Sequence, residues 1–483
     1  MTRDGRAIVV GSGPNGLAGA ILLARAGLRV RVLEAAAEPG GGTRSSQLTL
    51  PGLIHDHCSA FHPMAQASPL FRELGLERYG LRWRHQDIEM AHPLDDGTAA
   101  AVWRDIDRTV DELGGDGPAW RYTFGALSAG FDDLAQDILR PLPHLPRHPM
   151  RLARFGPAAL LPASVLVRQW RQPRTRALFG GAAAHAVTSL GAPLSSAVGL
   201  TLIAAAHRHG WPVAEGGSRA IATAMIRMLE SLGGTVETDT PVTSIAQVDG
   251  ADIVLLDTAP GAAATILGDR QPPRANRAYR RYRYGPGALK VDLAVRGPIP
   301  WANPLCARAG TVHLGGTFDD LADAEAATVR GHLAAAPFVL VGQQYLADRS
   351  RSVDGVHPIW AYAHVPHGYP GEDPEPVLRQ IERFAPGFRD RIVDIRTRGP
   401  AALERDNPNY VGGDIAVGSN AGLRLLFRPG GATLPIGGRT PYDTGVPGVY
   451  LCSSATPPGG GVHGMGGANA AAVALARWEL SRG

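Results

Sequence analysis

Three glycines near the start of the chain have the spacing of a phosphate-binding turn. Gly11, Gly13 and Gly16 form G-x-G-x-x-G within GSGPNG, and the acid Glu34 follows about twenty residues later. Glycines let the backbone approach a pyrophosphate closely, and an acid at this distance accepts hydrogen bonds from a ribose. We therefore predict a dinucleotide site in which Pro14 and Asn15 begin the helix that faces the pyrophosphate. A side chain on Gly13 would occupy the space of that pyrophosphate.

The elements around these glycines decide what the pattern means. The chain contains 61 glycines, so this pattern alone arises by chance about once. The apolar run RAIVV predicts a strand before the turn, an Ala- and Leu-rich stretch predicts a helix after it, and VRVLE predicts a second strand that ends in Glu34. This order favours a dinucleotide site. The alternative is a glycine-rich turn in an ordinary βαβ unit.

A second glycine cluster follows Glu34 closely and narrows the dinucleotide to FAD. Gly41, Gly42 and Thr43 let the chain fold back over the cofactor, and Arg44 supplies a forked cation near the pyrophosphate or the flavin. The cluster comes too early for the third strand of a plain nicotinamide domain. The alternative is a surface loop with a solvated Arg44.

The C-terminal part of the chain predicts a further contribution to the same site. GVYLCS predicts a buried strand, and a glycine-dense loop then leads into a helix over Ala468–Leu480. A second G-x-G-x-x-G in this loop lacks both the ribose acid and a following strand, so NAD(P) has no recognised domain. We expect a helix N-terminus and bare backbone to contact FAD here. The predicted contact residues are Ser454, Pro457, Gly460, Gly461, Val462 and His463.

A length of 483 residues predicts two domains. The predicted fold class is α/β, with a discontinuous Rossmann-type FAD-binding domain and a second α+β substrate-binding domain. We expect residues 1–80, 209–272 and 400–483 in the first domain, and residues 81–208 and 273–399 in the second. The middle piece predicts a helix over Ala220–Leu232 and strands that include Pro241–Ile245, with Val242 contacting the adenine through its backbone.

Composition excludes several classes of function. The formal net charge is only +4, and no basic run is interleaved with aromatic residues, so we expect no nucleic-acid partner. The three cysteines lie far apart in the sequence and predict neither a disulfide framework nor a metal site. The sequence shows no signal peptide and no long uncharged apolar stretch. These features predict a cytoplasmic protein.

One segment combines prolines, arginines and apolar residues. Residues 141–173 include Arg147, Arg151 and Arg154 with Leu, Phe and Val between them. Such a segment lies on an anionic membrane or covers an apolar substrate tunnel. The alternative is a Pro-rich connection whose arginines are solvated. Peripheral membrane contact through this segment is therefore one of the open predictions.

Taken together, the motifs resemble those of the phytoene desaturase-like FAD oxidoreductases, within the wider superfamily of amine oxidases and Rab GDP-dissociation inhibitors. The resemblance is greatest to bacterial relatives of the pyridine nucleotide-disulfide oxidoreductase domain-containing group. It spans nearly the whole chain and implies FAD as the cofactor, but none of the matching segments is specific to a substrate. A small, apolar molecule is the expected substrate. The segments that carry it are Val9–Gly16, Val32–Glu34, Gly40–Ser45, Gly216–Ser218, Tyr282–Trp301, Pro408–Asp414 and Tyr450–Asn469.

Two departures bear on the branch within this superfamily. Amine oxidases usually carry an acid in the C-terminal flavin motif, where this chain has Ser454. Phytoene desaturases commonly read Thr-His-Pro-Gly in the next stretch, where this chain has Pro457 in place of the His. The first departure favours the desaturase-like branch, and the second argues against carotenoid chemistry itself.

The resemblance also implies which segment borders the reacting part of the flavin. In the superfamily, the segment that corresponds to residues 55–62 passes beside the isoalloxazine. His57 and His62 are the candidate acid/base groups, and Ser59 lies between them. The alternative is that each histidine fixes a loop by hydrogen bonding.

Three functions are consistent with the sequence. The first is a flavin dehydrogenase or oxidase that forms C=C or C=N in an apolar or secondary-metabolite substrate, with oxygen, a quinone or another protein as electron acceptor. The second is an isomerase of conjugated double bonds. The third is a binding or escort protein on the same fold, which the intact phosphate turn and Glu34 argue against.

Overall fold

The computed structural model describes residues 5–141, 144–425, 428–429 and 440–482. Its strands are, in chain order, β1 (Arg6–Val10), β2 (Arg29–Leu33), β3 (Ser45–Ser46), β4 (His55–Asp56), β5 (Trp83–Arg84), β6 (Ile88–Pro93), β7 (Ala99–Val102), β8 (Val213–Ala214), β9 (Thr235–Glu237), β10 (Ile253–Leu256), β11 (Gly287–Arg296), β12 (Ala309–Leu314), β13 (Val339–Gly342), β14 (Val356–Val365), β15 (Ile392–Arg398) and β16 (Val449–Leu451).

The helices lie between and after these strands. They are α1 (Pro14–Arg25), α2 (Pro63–Ala67), α3 (Pro69–Leu74), α4 (Ile106–Leu113), α5 (Gly117–Ala129), α6 (Phe131–Ile138), α7 (Pro149–Leu160), α8 (Ala163–Leu166), α9 (Pro173–Ala184), α10 (Ser195–His209), α11 (Arg219–Ser231), α12 (Pro260–Leu267), α13 (Pro273–Arg280), α14 (Phe318–Val329), α15 (Glu375–Phe384), α16 (Pro400–Asp406) and α17 (Met465–Leu480). Seven of them, α4 to α10, follow one another between β7 and β8.

The first sheet is parallel and joins distant parts of the chain. Its order is β16-β10-β1-β2-β9, with Val9 opposite both Val32 and Leu255. The central strands are short apolar runs buried on both faces, as expected for a parallel sheet between helices. Helices α1, α11 and α17 cover one face, and α12 and α13 cover the other. The predicted discontinuous α/β fold is confirmed.

Helix α17 crosses α1 at close range, which places the N-termini of both helices near each other. A Cβ on Gly467 would lie 1.8 Å from the carbonyl oxygen of Asn15, so only glycine permits this crossing. The crossing brings the N-terminal turn and the C-terminal loop to one edge of the sheet. The carboxyl ends of parallel strands form the usual ligand edge of such a sheet.

The second sheet is mixed and larger. Its order is β15-β11-β14-β13-β12-β6-β7, and every pair is antiparallel except β12 with β6. Strands β6 and β7 form a hairpin, in agreement with the turn residues Asp95-Asp96-Gly97 between two apolar runs. Helices α5, α6, α9 and α10 contribute to the core on one side, and α15 contributes to the core on the other. This sheet and its helices form the predicted α+β part of the molecule.

Two predicted elements are wrong in position or in type. Residues 241–244 form no strand, and a 3-10 turn follows at Ile245–Val248. Within residues 235–248, the parallel sheet therefore takes up Thr235–Glu237 alone. Helix α17 begins at Met465 rather than at Ala468, because Gly464 ends the preceding loop with a φ of +70°. The loop thus delivers its helix N-terminus three residues earlier than expected.

The Pro- and Arg-rich segment, residues 141–173, is largely helical in its described part. Its longest helix, α7, contains Pro157. Residues 142 and 143 of the predicted segment lie outside the described residues. Among the described helices, none is by itself both long and apolar enough to span a membrane; Pro149–Leu160 with Ala163–Gln169 reaches that threshold as a pair, bent by 96°.

Candidate functional site

A cavity of about 1020 Å³ lies between the two sheets and is bordered by segments from both. At one end it meets the phosphate turn, and at the other it meets β12, β13, β14, α7 and α10. Most of the predicted cofactor-binding residues line it together: Gly11, Gly13, Pro14, Asn15, Glu34, Gly41, Gly42, Arg44, Val242, Ser454, Pro457, Gly460, Gly461, Val462 and His463. Residues from both ends of the chain therefore meet at one site.

Glu34 is held rigidly at the carboxyl end of β2. Its Oε2 accepts hydrogen bonds from the backbone N and the Oγ of Ser12, at 2.9 and 2.6 Å, and its Oε1 accepts one from the backbone N of Ala36 at 2.9 Å. These bonds fix the carboxylate on the cavity wall. A carboxylate in this position is suited to accept hydrogen bonds from ribose hydroxyls.

A second carboxylate, which the sequence reasoning missed, lies inside the phosphate turn. Asp257 follows β10, and its Oδ2 accepts a hydrogen bond of 2.9 Å from the backbone N of Gly16. A Cβ on Gly13 would lie 2.6 Å from this oxygen. The expectation that a side chain on Gly13 points into the pyrophosphate space is therefore wrong, because Asp257 already fills that direction. Gly16 itself packs against Asp257 and is not among the cavity-lining residues.

The site still fits the groups of FAD. The N-terminus of α1 opens toward the cavity, with Pro14 and Asn15 in the wall, and offers a positive dipole end to an anion. The loop before α17 lines the cavity as far as His463. Asn15 has a buried Oδ1 without a hydrogen-bond partner in the described structure, an acceptor for a hydroxyl of the cofactor and not for its phosphates. Gly41 would place a Cβ only 3.0 Å from the Cα of Gly13, so the second glycine cluster folds tightly over the turn. The donors and the bare backbone form a cradle for a pyrophosphate.

The second glycine cluster is held by its own side chains. Thr43 is fully buried and donates from Oγ1 to the carbonyl oxygen of Gly40 at 2.7 Å, so it fixes the loop instead of lining the cavity. Arg44 does line the cavity, and its Nε donates to the carbonyl oxygen of Gly41 at 3.1 Å. The guanidinium is therefore presented at the glycine end of the site.

We expect FAD binding to depend on pH, because the carboxyl of Asp257 is buried at the phosphate turn. Burial raises the pKa of Asp257 to about 7, and the charge of Glu34 adds to the shift. Because this pKa exceeds the usual value near 3.9, the carboxyl destabilises the fold increasingly as pH rises from about 4 to 7. An ionised Asp257 also repels a pyrophosphate. We expect the Kd for FAD to rise above pH 7 by up to about tenfold per unit.

The matched variant is Asp257→Asn, which keeps an acceptor oxygen for Gly16 and removes the titration. Its Kd for FAD, measured by flavin fluorescence between pH 6 and 8.5, is expected to be much less dependent on pH. Parallel pH profiles in the two proteins would contradict the role of Asp257.

The three predicted catalytic residues occupy different positions. His62 and Ser59 line the cavity, whereas His57 is not among the described lining residues. Ser59 donates from Oγ to the carbonyl oxygen of Gly42 at 2.9 Å. The Nε2 of His57 lies 2.7 Å from the Oγ of Ser46, and burial lowers the pKa of His57 to about 4. Catalytic roles for these residues remain predictions.

His62 is the best placed of the three. Its Nε2 lies 2.9 Å from the Oγ of Ser218, and its Nδ1 is buried without a hydrogen-bond partner among the described residues. Burial lowers the pKa of His62 to about 4. The ring is therefore neutral and held in one orientation. We expect His62→Ala to retain FAD and to slow flavin reduction by substrate about 10²-fold in stopped-flow experiments. His332→Ala, at an exposed loop position, is the control. Unchanged reduction in His62→Ala would leave His62 with a structural role only.

A buried cluster of charges lies beside this segment and was not predicted. Lys290 on β11 forms an ion pair with Asp292, and Arg398 bonds the same carboxylate at 3.2 Å. Burial lowers the pKa of Lys290 to about 8, while Asp292 opposes that shift. The sequence signal was visible, because two charged residues stand within the apolar strand GALKVDLAV. The third member of the cluster, Arg398, is distant in sequence, so its contact with Asp292 could not be predicted from the sequence.

Comparisons with known proteins agree with this geometry. Residues 9–74 match the family model of a NAD(P)-binding Rossmann-like domain. The chain is 30% identical over 267 residues to hydroxyneurosporene desaturase of Cereibacter sphaeroides, covering 51% of each chain. It is 27% identical over 134 residues to one of the subunits of limonene dehydrogenase from Castellaniella defragrans, covering 28% of this chain and 24% of that protein. The chain thus matches between a quarter and a half of the length of these curated relatives.

The fold as a whole matches that of a solved oxidase structure. The structure of putrescine oxidase bound to putrescine covers all of both chains, with a TM-score of 0.59 and 18% sequence identity. This likeness shows the shared fold. The partial matches to hydroxyneurosporene desaturase and limonene dehydrogenase agree with the predicted resemblance to the phytoene desaturase-like FAD oxidoreductases. FAD is its cofactor, and the predicted resemblance to this group is confirmed.

Proposed function

We propose that the protein is a dehydrogenase that forms a C=C bond in a neutral, apolar small molecule. The main support for this proposal is the composition of the cavity wall. Among the described lining residues, the charged side chains belong to residues 34–44, 140, 257 and 405–406, near the glycine end. The walls from α7, α10 and β12–β14 contribute Leu, Ala, Val, Thr, Phe, Trp and Tyr. A charged substrate would lose its hydration there without gaining a partner.

The residues of the chain would perform three tasks around the cofactor. FAD, when bound, accepts a hydride from the substrate. The apolar walls hold the donor carbon and exclude water, which favours a defined approach geometry. The cradle of Gly11–Gly16, Glu34 and Arg44 fixes the cofactor at the opposite end. His62 is the proposed acid/base or positioning group on the same cavity.

The absence of a charged group on this wall, within the described residues, supports C=C formation over C=N formation. An alkylammonium ion there would have aromatic rings such as those of Trp360 and Tyr362 as partners, but no carboxylate among the described wall residues. The related isomerase function remains the alternative proposal, since it needs the same apolar walls and no electron acceptor.

Anaerobic reduction of the FAD-loaded protein tests the proposal. Purified protein is mixed with a panel of isoprenoid hydrocarbons, alcohols and ketones, and with primary amines as the contrasting class. We expect loss of the yellow flavin absorbance with at least one neutral isoprenoid and a product two hydrogens lighter. Reduction by amines alone would contradict the proposal. Conversion of a polyene without loss of flavin absorbance would favour the isomerase.

We further propose that the segment around α7 brings apolar substrates from a membrane surface. Leu152, Phe155 and Ala159 of α7 line the cavity, whereas Met150 is 80% exposed and Leu145 just before the helix is 91% exposed. Arg147, Arg151 and Arg154 lie among them in sequence. Apolar side chains flanked by arginines suit an anionic bilayer surface.

Vesicle co-sedimentation checks this contact. We expect the protein to bind vesicles that contain phosphatidylglycerol more strongly than vesicles of phosphatidylcholine alone. The double variant Leu145→Glu/Met150→Glu should lose at least tenfold in vesicle affinity, because two large apolar side chains no longer enter the bilayer. Leu480→Glu is the control, since Leu480 is 82% exposed on α17. Equal loss in both variants would contradict a specific role of this segment.

A further inference from the structure

Two histidines form a hydrogen-bonded pair in the wall of the cavity, away from the glycine end. His185 follows α9, is partly exposed and lines the cavity beside Trp211, whose ring lies 5.8 Å away edge-on. Its Nε2 lies 3.0 Å from the Nε2 of His313 on β12. His313 is fully buried behind it. Neither the sequence motifs nor the cofactor site accounts for this pair.

Both rings are neutral. Burial lowers the pKa of His185 to about 3, and burial together with the neighbouring His185 lowers the pKa of His313 well below its usual value. In a hydrogen bond between two neutral imidazoles, one nitrogen donates and the other accepts. The direction of this bond therefore fixes the position of the proton on each ring.

The surroundings of His313 decide that direction. Its Nδ1 is buried and has no hydrogen-bond partner in the described structure, and a Cβ on the adjacent Gly181 would lie 2.8 Å from it. A buried N–H without an acceptor is rarer in proteins than an unused lone pair. The proton of His313 is thus assigned to Nε2, from which it donates to His185. The proton of His185 then lies on Nδ1.

We infer that the Nδ1–H of His185 is a hydrogen-bond donor for a neutral oxygen of the substrate, so that the substrate is an apolar molecule with a carbonyl or hydroxyl group. This inference rests on the proposed function, because it places the substrate in the same cavity. Thr311, the polar neighbour on β12, directs its own hydroxyl to the carbonyl oxygen of Glu89 at 3.1 Å. The hydroxyl proton of Thr311 is therefore already used, whereas the Nδ1–H of His185 is offered to the substrate.

The donor has a clear role in an apolar cavity. A hydrocarbon in contact with Leu, Ala and Val side chains slides with little change in energy, since dispersion and burial are not directional. One hydrogen bond fixes which end of the molecule lies at His185. A site with an unpaired buried donor also rejects an analogue that lacks the oxygen. A carboxylate is disfavoured, because burial of its charge needs more than one donor.

The test compares two ligands that share a carbon skeleton, the ketone carvone and the hydrocarbon limonene. Each is titrated into the FAD-loaded protein, and the Kd is read from the change in flavin absorbance. We expect carvone to bind at least tenfold more tightly, although limonene is the more apolar molecule. His185→Leu should abolish this preference. His185→Asn, whose amide places a donor near the position of Nδ1, should restore it.

Three results would overturn the inference. They are equal affinities for both ligands in the wild type, no change in flavin absorbance with carvone, and a retained preference in His185→Leu at full flavin content. The readout is binding rather than turnover. A protein that prefers the ketone while no neutral isoprenoid reduces its flavin would contradict the proposed function and leave the role of His185 supported.

Discussion

Replacement of Gly13 by valine is expected to yield a protein that carries no FAD. Gly13 is the residue before α1 and has a φ of −64°, so its backbone conformation is open to any residue. The restriction is spatial, because a Cβ would lie 2.6 Å from the Oδ2 of Asp257. Valine would displace Asp257 or the turn, and with it the N–H groups that face the pyrophosphate. We expect the affinity for FAD to fall by at least 100-fold, which corresponds to about 2.7 kcal/mol.

Flavin content after purification and the Kd for added FAD measure this effect. Gly125→Val is the matched control, since among the described residues a Cβ there meets the side chain of Arg121 alone, at an ordinary contact distance of 3.6 Å. The control should retain FAD. A yellow Gly13→Val protein with wild-type affinity would show that the turn is not the pyrophosphate site.

Replacement of Arg351 by leucine is expected to destabilise the whole molecule. Arg351 is fully buried, and it donates to Asp56 at 2.6 Å, to Asp348 at 3.1 Å and to the carbonyl oxygen of Ala214 at 2.7 Å. Burial alone would raise the pKa of Asp56, but Arg351 and the N–H of Ser218 hold it below its usual value. Loss of the guanidinium leaves a buried negative charge. We expect the free energy of unfolding to fall by about 3–5 kcal/mol.

Urea unfolding of the FAD-loaded protein measures the change, and a second substitution isolates its cause. In Asp56→Asn/Arg351→Leu the more deeply buried of the two uncompensated charges is gone and that of Asp348 remains, so part of the lost stability should return. Arg389→Leu removes a partly exposed ion pair with Glu375 and should change stability much less. Equal stability of Arg351→Leu and the wild type would contradict the structural role of this buried network.

The parts of the fold that the sequence predicted are those encoded locally. The strand, turn and helix from Arg6 to Arg25 are specified by an apolar run, glycines and a proline within twenty residues. The hairpin of β6 and β7 follows from two apolar runs around Asp95-Asp96-Gly97. Glu34 could be assigned because its position relative to the glycines is set by the length of one βαβ unit.

The missed features depend on contacts between distant segments. Asp257 reaches the phosphate turn only because β10 pairs beside β1. His185 and His313 are 128 positions apart, and their pairing depends on how α9 packs on the mixed sheet. The predicted strand at Pro241–Ile245 is wrong, since this stretch follows Thr235–Glu237 away from the sheet and toward the cavity, where Val242 lies. A sequence pattern shows periodicity but not which edge of a sheet a segment reaches.

The most direct test of the account is the cofactor content of the purified protein. We predict a yellow protein with one FAD per chain, because residues from both ends of the chain meet at one cradle. Acid precipitation should release the flavin into the supernatant as intact FAD. A colourless protein that takes up no added FAD, or a flavin that stays with the precipitate, would contradict the account.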